Sequence, residues 1–455
     1  MKNEELTPGL LDQQSINFAV PSVKERLITG TVLNLIATAF NQGGTLVVNI
    51  LIARILMKEG FGEYAMAQNT LLTIATLGQL AIGYTAAKYV AEYRSTDPQR
   101  AGRIIGLCAL VSVTMASVAT VILILVAPWL AASMLKASHL SFALMIGSGF
   151  VFFSAINGYQ TGALSGLEAY SGLAKAGVSS GITAITTIFL GAWMGGLNGA
   201  MLGLSVSAFA RCLIHNRFFQ IETRAQGIKP DYSGSLCSER AIISKFALPA
   251  AIAGYYSMPI YWLVNSFLVR QAGGYGEMAL YSAATNFRLL VLFIPNVMNN
   301  VGLSILNNVK AKGDVAHYHH VFGLNVVSIF IVTLGAIILV GISGRPILKL
   351  FGEDFVGGYF LLWLLLASTL FEGLSIGLYQ YIQSRARIWL SLFVINIPRD
   401  GFFFVTAYYL VQSHGGTGLA TAYLMSAILG LLFHCVLVVF IYKEKDKNTL
   451  SYKIF

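Results

Sequence analysis

Charge is what this sequence has least of. Only 11% of its 455 residues are Asp, Glu, Lys or Arg, where a soluble globular domain carries about a quarter. The deficit excludes a water-soluble fold. Cysteine is scarce too: Cys108, Cys212, Cys237 and Cys435 stand singly, which excludes a disulfide framework and a cysteine-based metal site. No nucleophile elbow, phosphate-binding loop or metal-ligand spacing occurs, and no outer loop is long enough for a catalytic domain. Neither an enzyme nor a cofactor is therefore expected. The segment before Leu27 contains Glu4, Glu5 and Asp12 and no apolar core, so no cleavable signal peptide is expected and the first span should act as the insertion signal.

What is present is apolar. The chain is 56% hydrophobic with a mean hydropathy of +0.69, the composition of an all-α polytopic membrane protein. Stretches of about 20 apolar residues predict twelve spans, near 27–52, 65–87, 104–127, 141–163, 173–194, 198–216, 246–269, 279–305, 321–343, 358–382, 389–411 and 418–442. The excess of 30 basic over 20 acidic residues then reads as topology rather than nucleic-acid binding. With a cytoplasmic amino terminus, 22 basic residues fall on the cytoplasmic side, 6 outside and 2, Arg288 and Arg399, within spans. The positive-inside rule accordingly predicts that both termini are cytoplasmic, with anionic lipid contact secondary.

The sequence also repeats. YAMAQN at 64–69 resembles YSAATN at 281–286, Tyr159-Gln160 recurs as Tyr379-Gln380, and GGLNGA at 195–200 recurs as GGTGLA at 415–420. The three matches follow one another in order at nearly one offset. Six spans per copy give both halves one orientation, related by an axis along the membrane normal. The predicted organisation is a cytoplasmic tail (1–26), a first six-helix bundle (27–216), a cytoplasmic linker (217–245) containing Lys229-Pro230-Asp231, a second bundle (246–442) and a cytoplasmic tail (443–455).

Within the first span, Asn34, Thr38, Asn41, Thr45 and Asn49 recur at helical spacing. Lipid would leave those amides unsatisfied, so this face should look at other helices or at water, with Asn34 and Asn41 as candidate substrate contacts. Gly43 and Gly44 are expected to interrupt the span, opposite Pro249 and Pro259 of the seventh. Interrupted spans at matching positions of two halves point to a transporter's binding site.

Ionisable residues at membrane depth are functional candidates. Arg288, Arg399, Asp400 and Glu372 all fall deep in their spans. Guanidinium groups suit bidentate binding of phosphate oxygens, which makes Arg288 and Arg399 candidate substrate residues, while Asp400 and Glu372 are candidates for a coupling ion. Structural pairing, Arg288 with Glu372 for instance, is the alternative for the same residues. His434 is expected to be a packed polar residue, and His317, His319 and His320 to lie in a solvated loop.

Three segments carry a family resemblance. ARILMKEGFGEYAMA, joining the first two spans, resembles the Arg-x-Leu…Phe-Gly-x-Tyr signature of polysaccharide-biosynthesis flippases of the Wzx type, although Met57 stands where glycine is common. NGYQTGALSGLEAY and ILKLFGEDFVGG resemble that family's fourth-to-fifth and ninth-to-tenth connections. The family belongs to the multidrug/oligosaccharidyl-lipid/polysaccharide exporter superfamily. The resemblance implies a flippase for undecaprenyl-diphosphate-linked oligosaccharide in a bacterial inner membrane, working by alternating access and driven by an ion gradient. It also implies a polysaccharide polymerase and a chain-length regulator as partners. A cation-coupled small-molecule exporter of the same fold is the alternative; a membrane enzyme or a lipid II flippase fits less well.

Overall fold

The computed structural model describes residues 23–232, 239–311, 315–385 and 388–451, with side chains between 38 and 443 apart from those of 240, 300, 304, 310–311, 315–316 and 388. Among these the chain is helical and contains no strand. A backbone surrounded by lipid must satisfy its own hydrogen bonds, and the helix does so within one segment. In order the helices are α1 (Val23–Gly78), α2 (Ile82–Tyr93), α3 (Pro98–Trp129), α4 (Leu140–Gly166), α5 (Tyr170–Ala225), α6 (Arg240–Ile242), α7 (Leu248–Tyr255), α8 (Ser257–Val269), α9 (Gly274–Ala311), α10 (Val315–Ile342), α11 (Gly344–Lys349), α12 (Tyr359–Ser384), α13 (Ile388–Ser391) and α14 (Ile397–Ser451). Among the described residues, 8 helical stretches are long and apolar enough to cross a membrane.

Three of the longest helices contain a non-helical residue: α1 at Met57, α5 at Gly195 and Gly196, and α14 at Gly415. Gly196 and Gly415 have φ of 54° and 53°, which glycine adopts without a Cβ clash. Their positions fall in the gaps expected between the fifth and sixth and between the eleventh and twelfth apolar stretches. Met57 takes φ 60° and ψ −177° without that freedom.

Several sequence expectations require correction. Gly43 and Gly44 do not break α1, which passes through them as helix; mid-helix glycine costs about 1 kcal/mol against alanine but does not forbid the conformation. The break comes at Met57, and the connection expected there shrinks to one residue. The stretch 65–87 is instead divided at Gln79–Ala81, where Leu80 and Ala81 have positive φ. The seventh stretch is interrupted at Tyr256, between α7 and α8, although Tyr256 keeps helical dihedrals. Pro259 has no N–H to bond the Tyr255 carbonyl, so the interruption precedes the proline. Pro249 and Pro398 each follow a π-helical turn, Ile243–Ala247 and Leu392–Asn396. Each ring nitrogen frees a carbonyl inside that turn, and the longer π register accommodates it. His317, His319 and His320 lie in α10 rather than a loop, and no metal-ligating group of three is found among the described residues. α5 runs to Ala225, into the expected linker, and Cys237 lies outside the described residues.

Buried apolar residues form three clusters whose membership shapes the molecule. One runs across both parts of the chain, from Ile52, Phe61 and Leu144 to Leu348, Phe355 and Phe403. The second draws only on residues between Ile82 and Ala247. The third draws only on residues between Leu306 and Ile441. One core therefore joins early and late residues of the chain toward the end carrying Met57 and Gly352, and the other two cores are each drawn from one stretch of it.

The shared end is tightly closed. Arg54 Nε donates to the Leu350 carbonyl at 2.7 Å and its Nη2 to the Lys349 carbonyl at 2.9 Å. The Tyr275 hydroxyl donates to the Leu135 carbonyl at 2.9 Å, and the Phe61 ring meets Phe351 and Phe355 at centroid distances of 5.8 Å. At Gly62 the helices approach so closely that a Cβ would overlap the Tyr275 carbonyl. At the other end Asp231 and Glu239 tie back onto α3: Asp231 N donates to the Gly102 carbonyl, and Arg100 forms a bidentate pair with buried Glu239 at 2.9 and 3.1 Å.

Candidate functional site

The deep charged residues belong to α9, α12 and the start of α14, and the fold brings them together in two pairs. Arg288 on α9 donates from Nη1 to both Glu372 oxygens on α12, at 3.1 and 2.8 Å. The same nitrogen donates to the Tyr423 hydroxyl of α14 at 2.6 Å, and Tyr423 donates in turn to Glu372. The guanidinium also lies 4.5 Å from the Tyr423 ring centroid, so this arginine is held by charge, hydrogen bond and π-face at once.

Arg399 and Asp400 are neighbours in sequence and in space. Arg399 donates to Asp400 Oδ1 from Nε at 2.8 Å, with Nη2 at 2.7 Å from the same oxygen. Asp400 is fully buried, and its other oxygen accepts the Tyr256 hydroxyl at 2.6 Å. Arg399 keeps 27% of its side chain exposed. A Cβ on Gly430 would stand 2.9 Å from Arg399 Cδ; glycine there gives the arginine its path past the other arm of α14.

Arg399, Glu372, Tyr423, Tyr261 and His434 line one cavity of about 340 Å³. His434 Nδ1 lies 2.7 Å from the Gly430 carbonyl and its ring packs edge-on against Tyr379. Two guanidinium and two carboxylate groups give this region no net charge. Each arginine retains N–H donors beyond those its carboxylate uses, because a guanidinium carries five.

The polar face of the first helix separates into different roles. Asn49 is buried and donates from Nδ2 to Asn286 Oδ1 of α9 at 2.8 Å, a bond between the two parts of the chain. Asn41 is exposed, its carbonyl accepts the Thr45 hydroxyl, and it lines neither this cavity nor the one described next. The Asn34 side chain lies outside the described residues.

A second cavity of about 500 Å³ opens in the first part of the chain, lined by Gln79, Ser154, Asn157, Thr161 and Arg211, with Tyr255 of α7 as its contribution from the second. Sequence inspection of deep charges did not single out Tyr423, Tyr256 or this cavity. The two tyrosines had one available signal, a polar tip on an apolar body within a span.

The polysaccharide biosynthesis protein family model matches residues 27–302 of the chain. The EPS I polysaccharide export inner membrane protein EpsE of Ralstonia nicotianae is 26% identical over 299 residues, covering 63% of this chain and 64% of that protein. The Ralstonia solanacearum EpsE is 24% identical over 286 residues, covering 61% and 63%. The chain thus spans less than two thirds of the length of the curated relatives it matches. Among solved structures, the inward-facing conformation of a multidrug resistance MATE family transporter of the MOP superfamily aligns with a TM-score of 0.70 at 15% identity, covering 90% of this chain and 96% of that one. That likeness establishes the fold.

Proposed function

The chain belongs to the polysaccharide biosynthesis protein family, and on that premise we propose that it is a flippase carrying undecaprenyl-diphosphate-linked oligosaccharide from the cytoplasmic to the periplasmic leaflet of a bacterial inner membrane. In this reading twelve spans form two like-oriented bundles, 27–216 and 246–442, joined by a cytoplasmic linker, with both termini cytoplasmic. Repeated backbone breaks support it. Met57 and Gly273, Lys136 and Gly352, and Gly196 and Gly415 hold corresponding places in the two halves, and all six have positive φ. The end that shares a core is then periplasmic, and the opposite, divided end faces the cytoplasm.

One observation carries the mechanism: both deep arginines are paired with carboxylates, and Arg399 and Glu372 line the same cavity. A diphosphate supplies the oxygens that these carboxylates now supply. Its arrival displaces Glu372 from Arg288 and Asp400 from Arg399. The freed carboxylates then take up the coupling cation, so that charge stays balanced during rearrangement. The polar glycan occupies the cleft while the polyprenyl tail stays in lipid. A polymerase and a chain-length regulator are the partners that would use the delivered repeat units.

The test is complementation of a bacterial strain lacking its oligosaccharide flippase. The expected result is restored surface polysaccharide, lost again in Arg288→Ala and Arg399→Ala at unchanged membrane abundance. A cation-coupled small-molecule exporter is the second reading, favoured by Glu372 in the cavity; raised drug tolerance without restored polysaccharide would select it.

A further inference from the structure

Arg211 differs from the two arginines already described. It lies on the second arm of α5, beyond the break at Gly196, and lines the 500 Å³ cavity of the first part. Its Nε is buried without a hydrogen-bond partner, as is that of Arg288, and so is Nδ2 of Asn157 on α4; what Arg211 lacks is a carboxylate. No ion pair to Arg211 is found among the described residues, and no Asp or Glu lines this cavity. The remaining polar lining is neutral, an amide from Gln79 and hydroxyls that include those of Thr76, Ser154, Thr161 and Ser165.

A half-buried cation without a counter-charge is costly, and a buried unmet donor costs about 1–3 kcal/mol. Among the described residues Arg211 is the one charged residue lining this cavity, and a cation among neutral polar groups with no acid describes the complement of an anion rich in oxygen. At a rise of about 1.5 Å per residue Arg211 stands about 22 Å below the break at Gly196. In a hydrocarbon core of about 30 Å, with Gly196 at one boundary, that places it about 8 Å inside the boundary toward the divided end. A phosphoryl group borne on a lipid would reach it by moving that distance inward from the headgroup layer along the cavity.

We propose that the cavity around Arg211 and Asn157 is an anion site for a lipid-borne phosphoryl group, where a lipid first docks before the paired arginines of the second part are engaged. Arg211 supplies the charge and Asn157 a neutral donor. The choice of the polyprenyl diphosphate as natural occupant rests on the flippase reading above; the anion site itself does not. The docking point is set apart from Arg288 and Arg399 because it offers a cation that no carboxylate has to vacate.

The experiment uses the full-length protein in phosphatidylcholine nanodiscs titrated with undecaprenyl diphosphate, and separately with phosphatidylglycerol added to the disc, bound lipid being counted by native mass spectrometry. Arg211→Gln should weaken binding at least about tenfold, the scale of one lost charge-assisted hydrogen bond, and Arg211→Lys should retain most of it. Thr161→Trp fills the cavity while keeping the arginine, and should weaken binding equally should Arg211→Gln fold poorly. Binding of undecaprenyl diphosphate that is the same in the wild type, Arg211→Gln and Thr161→Trp would overturn the anion site and leave the flippase reading standing. Arg211-dependent binding of phosphatidylglycerol alone would uphold the site, assign it to bulk phospholipid and count against the flippase reading. No Arg211-dependent binding of either lipid would overturn the proposal.

Discussion

Tyr256, at the junction of α7 and α8, donates its hydroxyl hydrogen to Asp400 Oδ2 across 2.6 Å, while Arg399 occupies the other oxygen. The carboxylate thus ties the α7–α8 junction to the start of α14. Whatever draws Arg399 away leaves Asp400 dependent on Tyr256 alone.

Tyr256→Phe removes that donor and leaves a buried carboxylate oxygen unmet. The expected loss of stability is about 1–3 kcal/mol, read as a lowered unfolding temperature in detergent. No shift in that temperature would mean that the bond is not maintained in solution.

Arg288 and Glu372 form a double-mutant cycle. Breaking a buried pair by removing one partner costs about 3–5 kcal/mol, whereas removing both is often near neutral. Arg288→Gln and Glu372→Gln should each lower the protein's thermal stability, and the double variant should recover much of it without recovering export. Additive losses would argue that the two side chains do not interact.

Met57 is strained. Its φ of 60° with ψ of −177° lies in a region that suits glycine alone and costs about 1–3 kcal/mol. Met57→Gly should therefore raise the unfolding temperature, while Met57→Val should lower it. A fall with glycine would show that methionine packing outweighs the strain.

Gly62 allows the closed end to close. A Cβ there overlaps the Tyr275 carbonyl, so Gly62→Leu should hold the two parts open at that end. Spin labels replacing Arg54 and Leu350, which are joined side chain to backbone in the closed form, should then report a longer distance than in the wild type. An unchanged distance distribution would locate the closure elsewhere.

The helical membrane character was legible from composition, because lipid demands long apolar runs. The breaks at Gly195–Gly196 and Gly415 were legible too, since each stands in a gap between runs. The mid-span break assigned to Gly43 and Gly44 was misplaced: glycine permits a break, while tertiary packing chooses where it falls. Depth alone picked out Arg288, Glu372, Arg399 and Asp400. The pairing of Arg288 with Glu372 was named in the sequence as the alternative to a substrate role, and the structure forms it between residues 84 positions apart; the part of Tyr423 in holding that pair was encoded by no local pattern. Arg211 was legible as a basic residue near the cytoplasmic end of its span that could tip the charge of a cavity; that no acid lines the cavity beside it was not legible, because that is a property of several helices together.

The central claim is that the buried arginine pairs open to accept a lipid diphosphate. It is tested most directly by translocation of undecaprenyl-diphosphate-linked oligosaccharide in proteoliposomes of purified protein, followed as the glycan becomes accessible on the far side. Wild type should translocate, and the Arg288→Ala and Arg399→Ala variants should fall to the rate of protein-free vesicles. Wild-type rates in both variants would contradict it.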